Sequence, residues 1–126
     1  MIAAIHAGWK GAFKGIIKRT LNFMIKKGCD PKNVTAVIGP CISVKNYEVK
    51  KDFIKKLIKK DGKNKKFFKK IQNKDFFDLK KYVLSQLKAL NIKKIDIINK
   101  NTFNPKNNFF SARRSISRNE NDYGRN

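Results

Sequence analysis

Apolar residues change their spacing along the chain, and the changes predict alternating strands and helices. Residues 2–5 and 34–39 are short apolar runs typical of buried strands. Between them, from about residue 11 to 27, apolar residues recur every three or four positions, which predicts an amphipathic helix. Gly28 and Pro31 are the usual signals for the end of such a helix. The order predicts a strand–helix–strand unit whose strands are parallel and joined by a right-handed crossover.

The remainder of the chain predicts a second set of helices and strands. Apolar stripes predict helices at residues 49–62 and 78–90, with Asp78 as the N-cap of the latter. The lysine-rich residues 63–76 predict an irregular segment. Short apolar runs predict strands at 92–98 and 109–112, and the polar residues 113–126 predict irregular chain. Such alternation is typical of an α/β fold with helices packed on a sheet.

The length and the cysteine count narrow the class of protein. A chain of 126 residues suits one domain. No apolar run approaches the roughly 20 residues of a membrane span, and the first residues lack the basic region of a signal peptide. Two cysteines, Cys29 and Cys41, make no disulfide framework and fit a reducing compartment. We therefore expect a cytoplasmic protein with no membrane partner.

The formal charge of +22 raises the question of nucleic-acid binding. The chain has 26 lysines but only five arginines, and lysine, asparagine and isoleucine together make up more than two fifths of it. A/T-rich codons would raise these three together, whereas phosphate recognition would also favour arginine. Nucleic acid is therefore not the expected partner, and the lysine runs at 55–70 are interpreted as solvated helix faces. A basic nucleic-acid-binding module stays open as an alternative, with Phe67 and Phe68 as its best stacking candidates.

His6 and Cys41 each follow a predicted strand directly. Because carboxyl ends of parallel strands meet at one edge of a sheet, where open α/β sheets bind ligands, we expect both side chains in one crevice. A metal could use both groups, or the histidine could serve a cysteine nucleophile as base. The alternative is a buried free cysteine and a histidine bonded to backbone. One histidine and two cysteines make a complete zinc site within this chain unexpected.

Two further features suggest an anion site. Gly8 and Gly11 flank Trp9 in a turn into a helix N-terminus, which offers free N–H groups to an anion or is a plain turn. Four of the five arginines lie near the end of the chain: Arg113, Arg114, Arg118 and Arg125. Clustered arginine suggests bidentate binding of phosphate or carboxylate, and the alternative is an exposed basic tail.

Four motifs in order resemble the signatures of the laccase-domain (multicopper polyphenol oxidoreductase) family. The first is His6-Ala7-Gly8-Trp9-Lys10-Gly11, and the second is Ile38-Gly39-Pro40-Cys41-Ile42 followed by Tyr47-Glu48-Val49. The third is Phe77-Asp78-Leu79, and the last is Phe109-Phe110-Ser111-Ala112-Arg113-Arg114 with Gly124-Arg125. Asn101 stands where many members have cysteine, and Ala112 where many have tyrosine. The resemblance covers essentially the whole chain.

The resemblance implies a fold and a function. The fold is a three-layer α/β/α sandwich with a mixed sheet, of which residues 1–126 would be the C-terminal part. The function is that of a zinc enzyme acting on purine nucleosides, by phosphorolysis, adenosine deamination and methylthioadenosine cleavage. Copper-dependent polyphenol oxidation and peptidoglycan-precursor editing are the alternatives. Purine nucleoside and phosphate are the implied partners.

The resemblance also implies site residues. His6 corresponds to one of three metal ligands, with zinc or alternatively copper as the metal. The other two ligands belong to the upstream half, which is missing or supplied by a separate chain. Cys41 corresponds to a pocket residue, and Arg113, Arg114 and Arg125 are candidates for binding phosphate. The chain alone is therefore expected to be inactive.

Overall fold

The computed structural model describes residues 1–118, which divide into two compact units. The first unit comprises Met1–Ile38 and Lys81–Ile98, and the second comprises Gly39–Lys80 and the described residues 99–118. The helices and strands in chain order are α1 (Trp9–Phe13), α2 (Ile16–Lys26), β1 (Thr35–Ile38), β2 (Glu48–Val49), α3 (Lys51–Lys60), β3 (Phe68–Ile71), β4 (Lys74–Phe77), α4 (Leu79–Ala89), β5 (Lys94–Ile97) and α5 (Ala112–Ser117).

The first unit is built on a parallel pair of strands. β1 and β5 pair with Thr35 opposite Lys94 and Ile38 opposite Ile97. The apolar faces of α2 and α4 supply the other side of the core, because isoleucine and leucine recur there at helical spacing. The buried centre of this cluster consists of Ile17, Leu21, Ile38, Leu87 and Ile92. The predicted strands at 34–39 and 92–98 are confirmed with shorter bounds.

The single predicted helix at residues 11–27 is two helices. Gly15 has a φ of 79°, in the left-handed region that glycine enters without steric cost, and the helical hydrogen bonding is interrupted there. The apolar spacing continues across the break, so the pattern alone did not reveal it. Downstream, α2 ends at Lys26, and Gly28 has a φ of 95°, as the predicted helix end requires.

The predicted strand at residues 2–5 is wrong. These residues form no strand, and the side chains of Ile2 and Ile5 are 96% and 43% exposed. A strand needs a neighbour for its backbone N–H and C=O groups, and no strand within residues 1–118 pairs with this segment. The apolar run indicated residues with a propensity for strands, but it gave no information about whether a pairing strand is present.

The second unit contains a three-stranded antiparallel sheet in the order β2-β4-β3. Phe77 on β4 is fully buried, and the rings of Phe53 from α3, Phe68 and Tyr47 lie 5.1, 5.3 and 5.6 Å from it. Leu57 of α3 is also fully buried. This aromatic cluster fixes α3 against the sheet.

Several predictions for the second unit are corrected. Residues 63–76, expected to be irregular, form a 3-10 helix (Gly62–Phe67) and most of the β3–β4 hairpin. Residues 109–112 are not a strand, because Ser111 is the N-cap of α5 and its Oγ accepts a hydrogen bond from the Arg114 amide. The first residues of the polar segment 113–126, which was expected to be irregular, belong to α5, which ends at Ser117.

The α/β class is confirmed. Parallel and antiparallel pairing, both expected of a mixed sheet, occur in two separate sheets. Within residues 1–118, no helix has the length and apolar character needed to cross a membrane.

Candidate functional site

His6 lies in the first unit, in the chain that leads into α1. Its side chain is exposed, and Nε2 lies 3.5 Å from the point where a Cβ on Gly8 would be. Gly8 is the N-cap of α1, with extended backbone and no side-chain cap. The His-Ala-Gly-Trp motif therefore folds the imidazole back over a residue without a side chain, which leaves the ring accessible to a ligand.

Cys41 lies in the second unit, where its backbone joins the segment after β5. The Cys41 amide donates to the Lys100 carbonyl at 3.2 Å, and the Thr102 amide donates to the Cys41 carbonyl at 3.1 Å. Burial raises the pKa of the Cys41 thiol, and the nearby Asp78 raises it further, whereas Lys80 lowers it. The result is a thiol that stays protonated at neutral pH, so this cysteine is not an activated nucleophile by itself.

The expected crevice shared by His6 and Cys41 stays a prediction. Its premise, a strand at residues 2–5 parallel to β1, is wrong. The residue that does pair with Cys41 is Asn101, through a parallel bridge. Cys41 and Asn101 follow β1 and β5 closely in the chain, so the parallel-strand reasoning applies to this pair.

Asn101 connects the chain after Cys41 with the chain after β5, and the sequence reasoning had not assigned it this role. Its Oδ1 accepts hydrogen bonds from the Ser43 and Phe103 amides, both at 3.1 Å. Its Nδ2 donates to Asn46 Oδ1 at 2.8 Å. Asparagine is so common in this chain that the residue type alone could not mark Asn101 as special. Its position shortly after the predicted strand at 92–98 is the signal that could have identified it.

The arginines occupy different surroundings. The half-buried Arg114 directs Nη1 to the carbonyls of Thr102 and Phe103 at 3.1 and 3.2 Å, and Nη2 to that of Phe109 at 2.6 Å. It therefore closes the loop that carries these carbonyls. By contrast, Arg118 is exposed. Arg125 lies outside the described residues.

Arg113 is exposed and lies against Tyr47. Its guanidinium carbon is 4.7 Å from the Tyr47 ring centroid, and Nη1 donates to the Glu48 carbonyl at 2.8 Å. Burial raises the pKa of the Tyr47 hydroxyl, whereas the charge and the hydrogen bond of Arg113 lower it. Of the two described candidates, Arg113 keeps more of its guanidinium accessible to an anion.

The residues present do not make a complete metal site. Within residues 1–118, no group of three or more His, Cys, Asp and Glu side chains is placed to hold a metal ion. His6 has the chemistry of a zinc ligand, but a protein zinc site takes three or four such groups.

The chain belongs to the family described as multi-copper polyphenol oxidoreductase laccase, whose model matches residues 1–126. It is thus an α/β protein of that family. A purine nucleoside phosphorylase of Rickettsia conorii is 38% identical over 117 residues, which are 91% of this chain and 48% of the relative.

Other relatives carry the same name. A purine nucleoside phosphorylase of Haemophilus influenzae is 34% identical over 116 residues, covering 90% of this chain and 46% of the relative. One of Aquifex aeolicus is 36% identical over 98 residues, covering 75% of this chain and 41% of the relative. The chain thus spans about half the length of the curated relatives that it matches.

Proposed function

We propose that this chain forms part of a purine nucleoside phosphorylase, with adenosine deamination and methylthioadenosine cleavage as related activities. The observation that carries the proposal is the identity to relatives of that name over nine tenths of the chain. In phosphorolysis, a phosphate oxygen forms a bond to the anomeric carbon of ribose. The bond from that carbon to the purine nitrogen breaks, and the base leaves with a proton.

The roles proposed for the site residues rest on the family resemblance together with the surroundings of those that the structure describes. His6 would be one zinc ligand, since its imidazole is exposed, and the remaining ligands would come from outside residues 1–118. Cys41 would line the pocket as a neutral thiol. Arg113 and Arg125 would bind phosphate, while Arg114 would act by holding its loop.

Phosphorolysis is preferred to polyphenol oxidation by copper, although copper remains the alternative metal. A multicopper centre needs many imidazole and thiolate ligands, and this chain has one histidine and two cysteines. A single metal ion with one ligand from this chain requires only one metal-binding side chain here.

The experiment is a purine-release assay with inosine or adenosine, phosphate and zinc. Five proteins are compared: this chain, the Rickettsia conorii relative, a chimera in which the 117 matched residues of that relative are replaced by this chain, and the His6→Ala and Lys18→Gln variants of that chimera. We expect phosphate-dependent release by the chimera, its loss in the His6→Ala chimera, its retention in a Lys18→Gln chimera, and none by this chain alone.

Two results would contradict the proposal. One is a folded chimera that releases no base under conditions in which the relative does. The other is turnover by this chain alone that His6→Ala abolishes, since the described donors would then suffice for a site that the structure does not reveal.

A further inference from the structure

The lysines are concentrated in one segment, from position 50 to position 74. This segment is about a fifth of the chain and holds twelve lysines, whereas all the rest of the chain holds fourteen. It has two acidic residues, Asp52 and Asp61, and no arginine. All twelve lysine side chains are exposed. We call them the lysine surface: Lys50, Lys51, Lys55, Lys56, Lys59, Lys60, Lys63, Lys65, Lys66, Lys69, Lys70 and Lys74.

Codon bias does not account for this concentration. A bias toward A/T-rich codons would raise isoleucine and asparagine together with lysine. These two occupy one position in five within the segment and nearly one in four outside it, so they are not enriched. The excess is therefore specific to lysine, which changes the expectation drawn from the composition of the whole chain.

The fold presents these charges on a fixed support. At 3.6 residues per turn, about half the circumference of α3 is covered by five lysines: Lys51, Lys55, Lys56, Lys59 and Lys60. The opposite side of the helix is packed, with its central leucine fully buried and a phenylalanine in the aromatic cluster. Successive lysines four positions apart are separated by about 6 Å along the axis.

We propose that the lysine surface binds the phosphate backbone of nucleic acid without sequence preference. Charge complementarity favours a polyanion, and the segment carries ten more basic than acidic residues. Membrane binding by insertion would need an apolar face, and that of α3 is buried within the second unit. Base reading is not expected, because the segment lacks arginine and Phe67, a stacking candidate in the nucleic-acid alternative, is only 3% exposed.

The test is fluorescence anisotropy with two labelled duplex DNAs of unrelated sequence, titrated across a range of salt. Lys51, Lys55 and Lys59 are replaced together by glutamine, which has a similar helix propensity. The matched control replaces Lys18, Lys26 and Lys93, three exposed lysines of the first unit, so that both variants lose the same net charge.

We expect equal binding of the two duplexes by the wild-type chain. At about 50 mM salt the α3 triple variant should raise Kd about tenfold or more, and its salt slope should be shallower by up to about 2.7, for three lost phosphate contacts. The control should change Kd less than about threefold, and replacing the α3 lysines by arginine should retain binding. Circular dichroism checks that every variant is folded.

Three outcomes would overturn the proposal. Equal weakening by the two triple variants would mean that net charge alone attracts DNA. Absence of binding by the wild-type chain at low salt would mean that the surface is only solvated. Tighter binding to vesicles of anionic phospholipid than to DNA would assign the lysine surface to a membrane instead.

Discussion

Replacing Arg114 by lysine separates two roles for this side chain, loop closure and phosphate binding. The guanidinium contacts three backbone carbonyls, those of Thr102, Phe103 and Phe109. A lysine ammonium is one compact charged group on a flexible side chain and cannot donate to all three carbonyls at once in this geometry. We therefore expect Arg114→Lys to loosen residues 102–109 whether or not phosphate is present.

The magnitude follows from the lost contacts. A hydrogen bond from a charged donor contributes about 1.5–3 kcal/mol. Lysine keeps one of the three, and water partly replaces the others because the site is half-exposed. The expected cost is about 1.5–3 kcal/mol in total, which corresponds to roughly a 10- to 150-fold larger opening constant for the loop.

Amide hydrogen exchange measures this opening directly. The amides of Asn107 and Asn108 donate to carbonyls within the same loop, at 3.1 Å each, and report on it. Arg113→Lys is the matched control, since Arg113 is exposed and makes one such carbonyl contact. Unchanged exchange at these amides in Arg114→Lys, or an equal increase in Arg113→Lys, would refute the assignment of loop closure to Arg114.

Three further outcomes are expected. Leu57→Ala should lower the free energy of unfolding by about 2–5 kcal/mol in urea titrations because it leaves a cavity, whereas Ile25→Ala, at a 40% exposed side chain, should cost much less. Burial raises the pKa of Cys41 and Tyr47, so the folded state keeps these two protons to a higher pH than the unfolded chain does. The free energy of unfolding should therefore fall as pH rises above the ordinary thiol pKa of 9.0. The variants Cys41→Ala and Tyr47→Phe should make that fall less steep. Equilibrium dialysis should show weak zinc binding by this chain, and tight stoichiometric zinc lost in His6→Ala would contradict the ligand count.

The strands β1 and β5 and the helices α2, α3 and α4 were predictable because each is a local pattern with local stop signals, although the pattern did not separate α2 from α1. The β3–β4 hairpin was not, since its two-residue turn is Gln72-Asn73 rather than a glycine-containing pair. Both residues have positive φ, 49° and 62°, as a type I′ turn requires. Phenylalanines in pairs among lysines also gave no alternation by which a half-buried strand is recognised.

The motifs named candidate residues such as Cys41 and Arg114, whose place in a functional site stays a prediction, but they gave no information about geometry. The partner of Cys41 depends on which strands pair, and that is decided by contacts between residues far apart in the chain, such as Thr35 and Lys94. Likewise, nothing near Arg114 in the sequence distinguishes a guanidinium that binds phosphate from one that binds carbonyls upstream.

The interleaving of the two units along the chain has a consequence for synthesis. The first unit closes only when β5 pairs with β1, and the whole second-unit segment from Gly39 to Lys80 must leave the ribosome between them. At about 5–20 residues per second, that takes several seconds, during which β1 lacks its β5 partner. Neither unit is continuous in sequence: the first is complete only once Ile98 has been made, and the second needs residues that follow Ile98. Chaperone binding during translation should therefore concentrate on this interval rather than on either unit alone.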